Sequence, residues 1–491
     1  MAQGDEIREV RIKKLEALRA RGIDPYPVGA SFSLIRIGDV IKKFKTLSTG
    51  KKKVAIAGRV MARRQHGGSM FLDIKDGSGK LQAFIGKDRL PEGMFDFIAE
   101  TLDVGDICAV EGKAFYTKRE EATIEVAAWE MLSKSLRPLP EKWHGISDVE
   151  ERFRKRYLDL TMNDEVRERF ITRSRIIQSI RAFFDKESFF EVETPMLHPI
   201  PGGALAKPFT THHNALDMEL HLRIAPELYL KRLLVGGLDR VYEIGKSFRN
   251  EGIDPRHNPE FTTIEWYAAY WDEEDMMKCV EKYFSSLPKV LGRKAITYGE
   301  TEIVFKAPFP RVTFQDLLRK YAGIIDYEKE PRDSLVLRAR QLGIDPEPYE
   351  SKGKIADEIY KKVCRPKMIQ PIFLTNHPLD ISPLAKKFAD RPNEVRRFQL
   401  IVAGLEVVNA FSELNNPIDQ KERFLGQEEM RVAGEAESHP FDEDFIEALE
   451  YAMPPAAGAA IGIDRLIMLL TNTESIKEVI LFPTLRPKAS Q

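Results

Sequence analysis

The sequence predicts an α+β chain in which a small β-barrel precedes a larger domain of long antiparallel strands and helices. Three observations predict it. Residues 54–132 run in short alternating apolar and polar stretches broken by glycine turns. A proline-bearing stretch, "LRPLPEKWHG", then interrupts the pattern at 136–145. Beyond it, long strand-like runs are mixed with segments of helical periodicity, the signature of an α+β domain.

Composition narrows the function classes. The 491 residues allow about three domains, and 43% hydrophobic residues argue against disorder. A formal net charge of −1 excludes a bulk field drawing the chain to nucleic acid or membrane, so such a partner must be held by local patches. Cys108, Cys279 and Cys364 form no CxxC pair, which points away from a disulfide framework or zinc site and suits a reducing cytosol. The opening "MAQGDEIREV" lacks the apolar region of a signal peptide, and no run of about 18 apolar residues predicts a membrane span.

Residues 4–21 read as an amphipathic helix through Ile7, Val10, Leu15 and Leu18, lying on a neighbouring domain or beside an RNA. In the barrel, "SMFLDIK" puts Met70, Leu72 and Ile74 on one face, leaving Phe71 with Ser69, Asp73 and Lys75. "KLQAFIG" turns Leu81, Ala83 and Ile85 inward, and Gln82 and Phe84 outward. Two aromatics therefore share a polar sheet face near the arginines of "GRVMARR", which suits stacking of single-stranded bases or covering of a domain contact. "KDGSGK" lacks the Ser or Thr of a phosphate loop after its lysine and reads as a hairpin turn.

In the larger domain, helices are expected over 164–186 and 441–451. Strands are expected at "FFEVETP", "RVYEIGKSF", "FTTIEWYAAY", "GLEVVNAFSEL" and "AAIGI". The stretch 314–387 reads as a helical insertion. Period two in "FTTIEWY" puts Phe261, Thr263, Glu265 and Tyr267 on one face, with Ile264 and Trp266 on a core face. In "EIGKSFR", Gly245 leaves room for a ligand to approach the backbone. The loop between these strands, 250–260, is long for a hairpin and carries two prolines. Arg249, Arg256 and His257 there offer donors to an anion. Glu227 opens a helix after Pro226, where an acid often serves only the helix dipole. In "LEVVNAFSEL", Asn409, Phe411 and Glu413 share a strand face, and Glu406 joins them only through a bulge. In "GAAIGIDRLIMLL", small residues lead into a helix whose first turn holds Arg465, a flat cation able to stack on a base.

These pieces, in order and over nearly the whole chain, resemble the class II lysyl-tRNA synthetases. The similarity is carried by "RGIDPYP", "LRPLPEKW", "PGGALAKPFTTHHNALD", "APELYLKRL", "FRNEGIDPRHNPEFT", "NAFSELN", "IGIDR" and "VILFPTLRP". It implies an N-terminal helical extension (1–50), an OB-fold anticodon-binding barrel (51–136), a linker (137–155) and a class II catalytic domain (156–491). It also implies a two-step reaction: lysine and ATP give lysyl-adenylate and pyrophosphate, and the lysyl group passes to the 3′ end of tRNA(Lys). Arg249 and Arg465 would be catalytic. Glu251, Arg256, His257, Asn258, Phe261 and Glu406 would join them around ATP. Gly203, Glu227, Glu265, Tyr267, Asn409, Phe411 and Glu413 would hold L-lysine. Arg64, Phe71, Gln82 and Glu130 would read the anticodon. Magnesium, up to three ions per subunit, would be held by Glu406 and Glu413, with the uncharged Gln399 where the family usually has glutamate. Ala459, Ala460 and Leu205 are further departures. The resemblance implies a cytoplasmic homodimer, its dimer face built by the strand that ends at Pro195.

Overall fold

The protein is described by a computed structural model covering residues 2–50, 52–140, 148–348, 350–432 and 439–487. The chain forms two compact units, 1–147 and 148–491.

The first unit is a closed barrel of β1 (Lys53–His66), β2 (Ser69–Lys75), β3 (Lys80–Gly86), β4 (Ile107–Tyr116) and β5 (Ala122–Ser133), in the order β1-β2-β3-β5-β4. Alternation fills it: Met70, Leu72, Ile74, Leu81, Ala83 and Ile85 are buried in one apolar cluster. "KDGSGK" is the β2–β3 turn, in which the Asp76 carboxylate accepts the backbone N–H groups of Ser78 and Gly79. The N-terminal helix (Ala2–Ala20) packs within this unit. Its buried face differs from the simple apolar stripe: Val10 is exposed, while Arg11 is buried and donates to the carbonyls of Val104, Ser135 and Arg137. Three carbonyls at one guanidinium offset its desolvation.

The second unit is built on β6 (Phe190–Glu191), β7 (Leu197–His198), β8 (Thr210–His213), β9 (Met218–Leu222), β10 (Arg240–Phe248), β11 (Glu260–Ala269), β12 (Ile296–Tyr298), β13 (Thr301–Ile303), β14 (Arg311–Thr313), β15 (Ile372–Pro378), β16 (Glu394–Val402), β17 (Leu405–Ser412) and β18 (Ala456–Gly462). Eight of these form one sheet, β14-β15-β16-β17-β18-β11-β10-β6. Helices Asp164–Lys186, Glu273–Val290 and Ile463–Leu470 cover one face, where Ile264, Trp266, Phe398, Leu400, Ala459 and Ile461 join the core. The long first helix buries Ile176, Ile180 and Phe184 at i, i+4 spacing and ends where Ser188 turns left-handed.

Several details depart from expectation. "FFEVETP" supplies a strand of only two residues, paired in parallel with β10 at the sheet edge. Within 314–387, β15 belongs to the main sheet, so the helical stretch with its own core ends near Met368. In the expected linker, Asp148 caps a helix over Val149–Arg154, and residues 141–147 lie outside the described residues. Among the described residues no helix is long and apolar enough to cross a membrane.

Candidate active site and nucleic-acid interface

Strand register assembles the site. Across β16, β17, β18 and β11, one row sets Gln399, Asn409, Ala460 and Glu265 side by side. Two residues along, a parallel row sets Arg397, Phe411, Gly458 and Tyr267 together. Partners opposite one another in an antiparallel ladder share a face, so both rows project to the side away from the main core. Two adjoining cavities open there, of about 260 Å³ and about 220 Å³. Arg249, Glu265, Glu406, Asn409 and Ala460 line both.

The first cavity is acidic and aromatic, lined by Glu227, Glu265, Tyr267, Asn409 and Phe411, with Gly203 at its rim. Glu227 and Glu265 are each 6% exposed. Burial, then the nearby Glu227 charge, push the Glu265 carboxyl up to about 8. Its hydrogen bond comes from the Tyr267 hydroxyl at 3.2 Å. Glu227 differs: its Oε1 accepts from Lys231 Nζ at 2.6 Å, so it is paired within the protein. Gly203 has φ +86°, and a Cβ there would lie 2.9 Å from Cβ of Glu227. Its N–H donates to His439 Nε2 at 2.9 Å, while His439 Nδ1 donates to the Pro440 carbonyl. Burial lowers His439 to about 4, which keeps the ring a neutral acceptor. Gly458 has to be glycine because a Cβ would collide with Tyr267 and Glu413.

The second cavity is cationic, lined by Arg249, Arg256, His257 and Arg465 with Glu251, Asn258 and Phe261. Arg249 lies over the Phe261 ring, its Cζ 5.1 Å from the centroid. Arg465 donates to His257 Nε2 at 3.1 Å, and His257 Nδ1 donates to Asp254 at 2.7 Å. Asp464, next to Arg465, accepts from Arg173 at 2.5 Å and from the Thr262 N–H at 2.7 Å, which fixes the helix that carries Arg465. Nε of Arg249 and Oδ1 of Asn258 are buried without a partner among the described residues, polar atoms of a kind that a phosphate or a base would satisfy.

Glu406 reaches both cavities through the required bulge: Leu400 faces Val408 and Ile401 faces Glu406, leaving Val407 as the extra residue. Gln399 Nε2 donates to Glu406 Oε2 at 3.0 Å. Glu413 is not brought to Glu406. It lies seven residues further on, just past the end of β17, beside Gly458 and Tyr267 of the first cavity, and its Oε2 lies 2.5 Å from Lys231 Nζ. Of the residues expected at a metal, the structure brings Gln399 to Glu406 and does not bring Glu413 there. Among the described residues no group of three or more His, Cys, Asp or Glu is disposed to hold a metal. Gly245 is corrected too: the space beside it is filled by the Arg223 guanidinium, which pairs with Glu243, and not by a ligand path.

On the barrel, Phe71 faces Phe84 across β2 and β3, with ring centroids 5.1 Å apart. Arg64 is opposite Phe71 and donates to Asp73 at 2.8 Å; Asp73 is opposite Gln82. Thr123 donates to the Gln82 carbonyl at 2.9 Å. Arg64, Phe71 and Gln82 thus form one patch. Glu130 does not join it: it is seven residues beyond Thr123 on β5, again about 20 Å away by strand rise, and it accepts from Ser31. Glu125, opposite Phe84, is the carboxylate that register places beside the aromatics.

Lys231, Arg397 and His439 escaped sequence reasoning. Lys231 follows Glu227 by four helical positions, a spacing that could have flagged the pair. Arg397, which donates to Asn409 Oδ1 at 2.9 Å, is revealed only by strand pairing. Nothing in the sequence around His439 announces its bond to Gly203.

Residues 148–486 match the family of tRNA synthetases class II (D, K and N), and residues 54–132 match an OB-fold nucleic acid binding domain. The chain is 49% identical to the lysine–tRNA ligase of Moorella thermoacetica over 487 residues, 99% of this chain and 98% of that one. It is 49% identical to the lysine–tRNA ligase of Syntrophomonas wolfei over 488 residues, with the same coverage. To the lysine–tRNA ligase of Aquifex aeolicus it is 50% identical over 439 residues, 89% of this chain and 74% of that one. An acid-lined cavity joined to an arginine-lined one on an antiparallel sheet, together with full-length likeness at this level, leaves one conclusion: the chain belongs to the class II lysyl-tRNA synthetase family.

Proposed function

We propose that the protein activates lysine with ATP and transfers the lysyl group to tRNA(Lys). The observation that carries this reading is Glu265: a buried carboxylate with no basic hydrogen-bond partner among the described residues, on the wall shared by the two cavities. A desolvated ammonium is stable only against such a group. With lysine's ammonium at Glu265 and Glu227, its carboxylate points toward Arg249, which both cavities share. ATP would take the second cavity, its adenine against Phe261 and Arg465 and its phosphates against Arg249, Arg256 and His257. A carboxylate oxygen then attacks the α-phosphorus in line, pyrophosphate leaves, and lysyl-adenylate forms. The terminal ribose hydroxyl of the tRNA attacks the lysyl carbonyl, and AMP leaves. Arg249 and Arg465 hold the phosphate and stabilise charge in the displacement, which needs no covalent enzyme intermediate.

Magnesium binds with few protein ligands when phosphates supply the rest. Glu406 fits that role: its carboxylate faces the charges of Arg249 and Arg397, its backbone carbonyl accepts from Arg465, and the Gln399 carbonyl is an uncharged neighbour. Bound there with ATP, the ion would neutralise phosphate charge; this donor set supports one ion better than three. Phe71, Phe84, Arg64 and Gln82 would stack and hold anticodon bases. A cytoplasmic homodimer completes the reading, with the exposed Phe190, Met196 and Leu197 available to a second copy.

The test is lysine-dependent exchange of labelled pyrophosphate into ATP, followed by charging of tRNA(Lys). Exchange with lysine and not with aspartate or asparagine is expected. No exchange, alongside clear tRNA binding, would reduce the protein to an RNA-binding relative.

A further inference from the structure

Lys231 is a fully buried charged group beside the amino-acid pocket that the reaction above does not use. It sits one turn into helix Glu227–Val235 with no exposed surface, and it lines neither cavity. Its Nζ lies 2.6 Å from Glu227 Oε1 and 2.5 Å from Glu413 Oε2. The rings of Phe411 and Phe445 flank it, with centroids 5.4 Å and 5.9 Å away. Burial would lower Lys231, but the two carboxylates outweigh it and hold the ammonium above the ordinary lysine range.

Glu227 is therefore a boundary. On its cavity side stands Glu265; behind the wall stands Glu413, 1% exposed. With the substrate's ammonium read at Glu265, a second, inner ammonium position lies behind it, between Glu227 and Glu413. The protein's own side chain fills the inner one.

We propose that Lys231 is a positioning residue that sets the depth of the amino-acid pocket. By filling the inner position it stops the substrate's ammonium at Glu265, and so selects the length of the diamino acid whose carboxylate reaches the α-phosphorus. The inference rests on the reading of the first cavity as the lysine site. A structural charge balance alone would make Lys231 matter for folding but not for chain length.

Pyrophosphate exchange with lysine and with homolysine, one methylene longer, separates these roles. The wild-type protein is expected to favour lysine in kcat/KM by roughly tenfold or more, the usual value of a misfitting methylene. Lys231→Ala opens the inner position, and the lysine-to-homolysine ratio is expected to fall to near one. Lysine itself should lose more in kcat than in KM, because its tail slides inward and withdraws the carboxylate. Ethylammonium added to this variant should refill the position and restore the ratio. Lys231→Ala/Glu413→Gln removes one acid with the lysine and serves if the single variant does not fold. A folded variant with an unchanged ratio overturns the proposal, as does a wild-type protein that uses both amino acids equally. Glu265→Gln in the same assay checks the underlying reading. If it leaves lysine use intact, the cavity is not the lysine site; if it abolishes lysine use while the Lys231 variants keep the ratio, only the depth proposal falls.

Discussion

At Glu265 the usual order of ionisation is reversed, because burial and a neighbouring carboxylate hold the proton on an acid that would be ionised in water. An ammonium placed against it supplies the missing charge, so binding favours the ionised form. The sign follows: below about pH 8 the free site is mainly protonated and must lose that proton to take lysine. The KM for lysine should fall by roughly tenfold per pH unit between pH 6 and 7 and level off above pH 8, with the KM for ATP steady. A flat lysine profile would show that Glu265 does not titrate with binding. Glu265→Gln should raise the lysine KM by roughly ten- to a hundredfold, the value of a charge-assisted hydrogen bond at about 1.5–3 kcal/mol. Equal loss for ATP would mean that the residue serves both substrates. The face carrying Glu265 and Tyr267 could be read from alternation alone. That Glu227 is already paired with Lys231 could not, since a lysine at that position is equally at home in solvent.

Among elements, those with a strong period were legible. β10 and the helix Asp164–Lys186 follow from their side chains, and β11 differs from its expected run by one residue at each end. What escaped was set by pairing. The bulge in β17 depends on β16 opposite, so the sequence could state the condition for Glu406 but not that it is met. Glu130 and Gln82 both lie on barrel strands, yet only the β3–β5 register shows how far apart they are. The Phe71–Phe84 pair spans two strands and presents one aromatic surface. Phe71→Ala should weaken discrimination between cognate and anticodon-altered tRNA by about 1–3 kcal/mol, one stacked base. It should leave pyrophosphate exchange untouched. Selectivity unchanged in charging assays with both tRNAs would remove the anticodon from this face.

At the scale of the molecule, the two units have separate cores: one apolar cluster fills the barrel, and three others lie wholly within residues 148–491. A unit with its own core can fold alone. Residues 148–491 expressed by themselves should therefore keep lysine-dependent exchange, with tRNA charging reduced by roughly tenfold or more through lost stacking. A fragment that folds but does not exchange would mean that the barrel contributes to activation itself. The two cavities, by contrast, hold Arg249, Glu265, Glu406, Asn409 and Ala460 in common. A wall used from both sides makes each substrate an effector of the other. Whatever factor ATP adds to the affinity for lysine, lysine must return to ATP, since the coupling free energy has a single value.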